Sequence, residues 1–326
     1  MIKPKKTKSK SKAAPVPIHD RRAIEKFSAY SGKLMKGMNF NSLEEANAFI
    51  GKHISGRYLD DIELTPETPL EAAQAKIYDA FAAASTKKRI ALANEALKIC
   101  PDCADAYVLL AEETARTYSQ AIKLYRKGVQ AGRRALGEDI FKKHAGNFWS
   151  ILETRPYMRA LFGYASTLWN CDGDEEALEC LRELMCLNKN DNQGVRYMLA
   201  PALIEAGQYK EAKQLLKTMK DEPIACSKYS WALALYLIEG SSTAASNALE
   251  DAVNQNGYVP GALMNIELLE EAFEQLDSYV PGSLEEAVAY SWEWFPAWYD
   301  YEQSSAPPIV WLADCLDAHL EKQSIF

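Results

Sequence analysis

Three stretches of this sequence carry one short pattern: a polar turn, an alanine, and a leucine four residues later. "CDGDEEALECL" places Ala177 and Leu181, "EAGQYKEAKQLL" places Ala212 and Leu216, and "EGSSTAASNAL" places Ala245 and Leu249. The alanines stand 35 and 33 residues apart. A period of that size fits two helices and their turns, repeated along the chain. The residue types follow from packing. Small side chains let two antiparallel helices approach closely, and bulky ones fill the seam between successive hairpins. A single hairpin of this kind cannot bury its apolar face alone, so the pattern requires a stack.

The pattern extends upstream. "YSQAIKLYRKG" gives Ala121, Tyr125 and Gly128, and "IALANEAL" gives Ala93 and Ala96. The preceding helices fit the same frame, with Tyr107, Leu110 and Ala111 in "AYVLLAEETA" and Tyr229, Ala232, Leu233 and Tyr236 in "YSWALALYLIEG". This resembles the tetratricopeptide repeat, a helix–turn–helix of about 34 residues. The expected fold is all-α: a tetratricopeptide-like right-handed α-solenoid of about five helical hairpins, with a helical N-terminal lead-in and an aromatic C-terminal cap. No segment reads as a run of strands.

The expected boundaries are a disordered basic tail at 1–20, a helical lead-in at 21–66, the repeats at 67–259, and an acidic, aromatic helical cap at 260–326. Inside the lead-in, Ser42 and Glu45 form a capping box, and Ser283 with Glu286 repeats it near the C-terminus. An insertion near 129–156 interrupts the repeats. The helix from Tyr118 is expected to run to about Leu136, with Phe141, Phe148 and Trp149 carried by a loop or an extra helix. In the cap, Trp292, Trp294, Phe295, Trp298 and Tyr299 mix i+2 with i+3/i+4 spacings, so the aromatics are expected to wrap most of their helix and to be largely buried, as a cap on the last repeat or against a partner.

Charge is uneven. The chain carries −8 overall, yet the first twelve residues hold six lysines and no acid: Lys3, Lys5, Lys6, Lys8, Lys10 and Lys12. Such a tail can meet nucleic acid or an acidic surface, or can simply remain solvated. No run approaches the ~18 apolar residues of a membrane span, and the N-terminus has no apolar leader core, so the expected setting is cytoplasmic, without a membrane. Seven scattered cysteines argue for reduced thiols.

Signals for chemistry are sparse. "CPDC" at Cys100–Cys103 has redox or zinc spacing, but no second such pair completes four ligands, and no strand leads into it. A turn between hairpins accounts for it. Gly-rich phosphate loops, GxSxG and HExxH are missing. Acidic pairs sit at helix starts, where they complement the helix dipole. No catalytic residue, cofactor or metal site is expected.

A binding groove is the stronger candidate. In "ETRPYMRA", Pro156 suits a first helical turn with Thr154 as its N-cap. That start would set Arg159, Phe162 and Trp169 near the inner face of the repeats, with Arg155 beside them. Alternatively Arg155 and Arg159 pair with neighbouring acids such as Glu153 and only fasten the insertion. In "NDNQGVRYMLAP", amides and Asp191 make a turn and cap, Arg196 takes a slot that normally packs a large apolar residue, and Pro201 interrupts the helix. Asp191, Asn192 and the loop before "ETRP" are the expected partners of Arg196. Arg155, Arg159, Phe162, Trp169, Arg196 and Tyr197 are therefore the expected partner-binding residues.

"CADAYVLLAEETA", "NFWSILETRPYMRA", "NDNQGVRYML" and "SLEEAVAY" resemble a group of bacterial cytosolic tetratricopeptide proteins. The first and last are also similar to the suppressor of tumorigenicity 7 family of animals. The resemblance implies an α-solenoid with no established catalytic residues. The animal members carry membrane spans near the N-terminus, and no stretch here matches one. The function expected from sequence is a non-enzymatic scaffold that holds a peptide or protein, with two alternatives: an RNA- or nucleoprotein-associated factor using the lysine tail, and an enzyme of unknown class. Self-association through the aromatic C-terminus is a further expectation.

Overall fold

The computed structural model describes residues 20–53, 62–171, 175–265, 276, 278–299 and 307–324, the side chains of 318–324 aside. Lys3, Lys5, Lys6, Lys8, Lys10 and Lys12 lie outside the described residues. Sixteen α-helices form among the described residues, with no strand and one isolated bridge between Asn147 and Asn188. The chain divides into two compact units, 1–143 with 148–163, and 144–147 with 164–326.

In the first unit, a 3-10 turn at Arg21–Ile24 leads into α1 (Glu25–Met35), followed by α2 (Leu43–His53). Two helical hairpins follow, α3 (Pro69–Ala82) with α4 (Thr86–Ile99) and α5 (Ala104–Thr114) with α6 (Tyr118–Leu136). Then come α7 (Glu138–His144) and the start of α8 (Arg155–Cys171). The helix from Tyr118 ends at Leu136, as its pattern predicts, because Gly137 adopts φ 69° and closes it. Phe141 lies on α7, and Phe148 begins a 3-10 turn.

Four helix starts share one device. The side chain of Ser42, Thr68, Thr117 or Ser283 accepts the N–H three residues on. The acid or amide at that third position reaches back one residue beyond the cap, to the N–H of Asn41, Glu67, Arg116 or Gly282. Each start thus satisfies two otherwise orphaned donors.

Glycines let α6 and α8 approach closely in this unit. On α6, an added Cβ at Gly128 would stand 3.1 Å from Ala160 Cβ, and one at Gly132 would stand 3.1 Å from Tyr157 Cβ and 3.2 Å from its Cα. A Cβ at Gly32, on α1, would meet nothing within 4 Å. Gly132→Ala is therefore expected to cost stability. Its overpacking, about 1–3 kcal/mol, outweighs the gain of about 1 kcal/mol in helix propensity. Gly32→Ala should instead stabilise by about 0.5–1 kcal/mol. Paired thermal melts check both signs.

The second unit holds the rest: α9 (Glu175–Leu187), α10 (Val195–Glu205) with α11 (Tyr209–Lys217), α12 (Ala225–Glu239) with α13 (Thr243–Gln255), α14 (Val259–Met264), α15 (Leu284–Trp298) and α16 (Pro308–Ser324). Ala177, Leu181, Ala212, Leu216, Ala245 and Leu249, which announce the repeat, are all buried.

The aromatic helix differs from its expectation in two ways. Its apolar side chains form a stripe, with Tyr290, Trp294 and Trp298 buried at i, i+4 and i+8, while Trp292 is 37% exposed. It packs on the last hairpin through α12, as expected, and also reaches beyond it. Besides α14 and α16, α15 packs on α10 and α12, the first helices of two successive hairpins. These two first helices thus carry a helix of the chain itself at this position. Tyr236, Trp311 and Trp298 stack behind it, with centroids 4.4 and 6.5 Å apart.

Candidate functional site

The richest polar cluster lies in the first unit, on the first helices of its hairpins. Gln74 of α3, Asp105 of α5 and Arg159 of α8 converge there, and Glu25 at the start of α1 closes the cluster. Arg159 donates from Nε and Nη2 to the two Asp105 oxygens at 2.8 and 2.6 Å. It donates from Nη1 and Nη2 to Glu25 at 2.9 and 3.0 Å. Gln74 Nε2 adds a bond to Asp105 Oδ2 at 2.9 Å. Arg155 donates from Nη1 to Glu25 at 3.2 Å and from Nε to the Trp149 carbonyl at 2.8 Å. Asp105 is fully buried and the Arg159 side chain only 9% exposed. Burial works to lower the Arg159 pKa, but Asp105 and Glu25 outweigh it and raise the value, so the guanidinium stays charged.

This arrangement sharpens the reading of "ETRPYMRA". The arginines do pair with acids, but with Glu25 and Asp105, brought in by α1 and α5. Glu153 makes neither bond. Thr154 immediately precedes α8, yet its hydroxyl donates to the carbonyls of Phe148 and Ile151 and binds the insertion to the helix start. Phe162 is half-buried in this unit, and Trp169 is half-buried in the other.

Beside the cluster lies a cavity of about 410 Å³, within the first unit. Its walls come from α1, α3, α5, α6 and the start of α8, and they are mostly apolar, with Leu70, Leu136, Leu152 and Pro156 among them. Tyr78, 5% exposed, lines it, and its hydroxyl has no hydrogen-bond partner among the described residues. Burial, reinforced by the charges of Glu25 and Asp105, pushes the Tyr78 phenol up, so it stays neutral and can donate or accept. No sequence pattern announces this cavity, because its walls come from five separate helices.

"CPDC" forms the turn between α4 and α5. Its Cys103 thiol is buried against Gln74 Oε1 at 3.6 Å, and burial raises its pKa. No group of three His, Cys, Asp or Glu side chains that could hold a metal occurs among the described residues.

In the second unit, the turn before α10 is built as a cap. Asp191 takes φ 48° and accepts the N–H groups of Val195 and Arg196 at 2.6 and 3.2 Å. Arg196 lies 3.4 Å from Asp191 and 3.2 Å from Glu222, and it donates to the Tyr197 hydroxyl at 2.9 Å. Tyr197 in turn donates to Glu222 at 2.9 Å. An arginine stands in this slot because two acids and a phenol receive it. Of the two acids, only Asp191 is near enough in sequence to be expected.

At the other end of α10, burial pushes the Glu205 carboxyl up to about 7 from 4.5. The folded pKa exceeds the unfolded one. Its contribution to stability is therefore full below about pH 4.5 and lost as pH rises through 7. Glu205→Gln should leave Tm nearly unchanged at pH 5 and raise it by about 2–4 °C at pH 8, after discounting for partial exposure. A Tm series over pH tests it, and an equal gain at both pH values refutes the assignment.

No helix among the described residues is long and apolar enough to cross a membrane. Comparison with known proteins divides the chain. Residues 65–154, which include the α3–α6 hairpins, match the family model of the ST7 protein, and residues 175–223 match a tetratricopeptide repeat. Suppressor of tumorigenicity 7 protein of Macaca fascicularis is 27% identical over 235 residues, 62% of this chain and 41% of the relative. Suppressor of tumorigenicity 7 protein-like of Danio rerio is 27% identical over 281 residues, 80% of this chain and 45% of the relative. The chain spans less than half the length of these relatives, and its similarity to them is that of a helical-repeat chain with an ST7 protein match in one unit and a tetratricopeptide match in the other.

Proposed function

We propose that this chain is a non-enzymatic scaffold that holds a peptide or protein partner against the first helices of its hairpins, in a cytoplasmic setting. The observation that carries the reading is the face those helices present. Each unit has already laid a helix of its own on it, α1 on α3 in one and α15 on α10 and α12 in the other. A surface that takes one helix through apolar contacts and a few charged anchors has the chemistry of helix-in-groove recognition. The match to a tetratricopeptide repeat supports the same reading. Arg196, 28% exposed, with Tyr197 and Trp169, remains a candidate contact on the second unit. Affinity capture from the native cell, followed by direct binding of the purified pair, tests the proposal. A chain that recovers no partner above a scrambled-surface control would sink it.

The lysine tail supports a second reading, a nucleic-acid contact through Lys3, Lys5, Lys6, Lys8, Lys10 and Lys12. Binding to RNA that weakens steeply with salt and vanishes on deleting residues 1–12 would favour it.

A further inference from the structure

We propose that the cavity of the first unit is a recognition pocket for an arginine or lysine side chain, presented between apolar residues by a peptide segment of a partner protein. The inference rests on the scaffold reading and gives it a site and a ligand chemistry.

Charge decides the class of occupant. Four carboxylates line the cavity, Glu67, Glu71, Asp102 and Glu153, against two lysines, Lys33 and Lys36. Three of the acids are already matched. Lys33 pairs with Glu71, Lys36 with Glu67 at 2.8 Å, and Arg134 with Asp102 at 2.8 Å. Glu153 has no ion-pair or hydrogen-bond partner among the described residues, and it is exposed. An anionic occupant would meet matched lysines and one free carboxylate. A cation meets the free carboxylate directly.

The interior suits the rest of such a side chain. Tyr78 is more than nine-tenths buried, and its hydroxyl oxygen is available to accept from a guanidinium or ammonium group. A polar group entering the cavity can meet it. The aliphatic stem of an arginine or lysine, and an apolar neighbour, would lie along Leu70, Leu136 and Leu152. The volume, about 410 Å³, falls within the range of pockets that enclose small ligands. Gly32 of α1 and Ala135 of α6 are small residues of the lining, and a Cβ added at Gly32 meets nothing within 4 Å.

The test uses the full chain and three short fluorescent synthetic peptides, identical but for a central arginine, glutamine or glutamate between leucines. The arginine peptide should bind tightest and the glutamate peptide weakest, about tenfold apart. Gly32→Trp and Ala135→Trp each fill part of the cavity, from two different helices. Each should abolish binding while melting like the parent, and having two guards against one failing to fold. Glu153→Gln should erase the preference for arginine over glutamine without changing Tm. The pocket assignment is overturned if no peptide binds, if the three bind alike, or if a well-folded blocked variant binds fully. A captured partner that still binds both blocked variants would leave the scaffold standing and remove this pocket from it. Arginine-selective binding without any captured partner would do the reverse.

Discussion

Replacing Arg159 with alanine is expected to destabilise the first unit by about 3–5 kcal/mol. The side chain supplies four hydrogen bonds to two acids, and one of those acids, Asp105, is fully buried. Without it, among the described residues Asp105 keeps only Gln74, and Glu25 keeps only Arg155. The loss is mainly the penalty of leaving charge buried without a counter-ion, rather than the intrinsic strength of the pair. That distinction is measurable. Arg159→Ala combined with Asp105→Asn removes the stranded charge, so the double variant should lose clearly less than the sum of the single losses. Arg159→Lys keeps the charge but cannot fork to both acids, and it should fall between. Denaturant unfolding of the four proteins gives the coupling energy. Simple additivity would show that Arg159 acts through packing alone. Glu25 belongs to α1, so the same series reads how firmly α1 is held. Protease cleavage after residues of α1 should accelerate in Arg159→Ala more than in Gly132→Ala.

The repeats were legible because packing imposes a period on composition. Ala177, Ala212 and Ala245 are small for a reason that recurs in every hairpin, and their leucines fill the same seam. The end of α6 was legible because Gly137 stops it locally. The partners of the charged residues were not. Glu25 and Arg159 are 134 residues apart, and no local spacing joins them. One signal did exist. Asp105 sits in "CADAYVLLAEETA", where its neighbours Ala104, Ala106 and Leu109 are buried, and an acid in such company requires a cation. The position of α15 was hidden for a related reason. Its aromatic spacing shows that it must be buried, but that it reaches past the last hairpin, from α12 to α10, rests on contacts distant in sequence. "CPDC" reads correctly as a turn because the helices on either side predict it, whatever its cysteines resemble.

Glu286 carries the second large effect. It looks like a capping-box residue, and Ser283 does accept its N–H at 3.1 Å. Its carboxylate, 2% exposed, does more than a cap. Oε1 accepts the N–H of Ala225, the first residue of α12, whose own N-cap Ile224 offers no side-chain bond. Oε2 accepts from Gly282 N at 2.7 Å and from Asn256 Nδ2 at 2.9 Å. One carboxylate thus caps α12, orders the entry to α15 and fixes the end of α13. It also meets the positive ends of two helices at once. Glu286→Ala should strand these donors in a buried place and cost about 3–5 kcal/mol, on the scale of several unsatisfied groups. Glu286→Gln keeps the shape and one acceptor oxygen, so its loss should be about half as large or less. An isolated capping box is worth only about 1 kcal/mol, and Ser283→Ala, which removes that part alone, should show it. Equal losses for Ser283→Ala and Glu286→Ala would reduce Glu286 to an ordinary cap. A loss several times larger for Glu286→Ala, with near-ultraviolet dichroism of the Tyr290, Trp294 and Trp298 stripe diminished before the helices melt, would establish that this single acid holds α15 against the first helices of the hairpins.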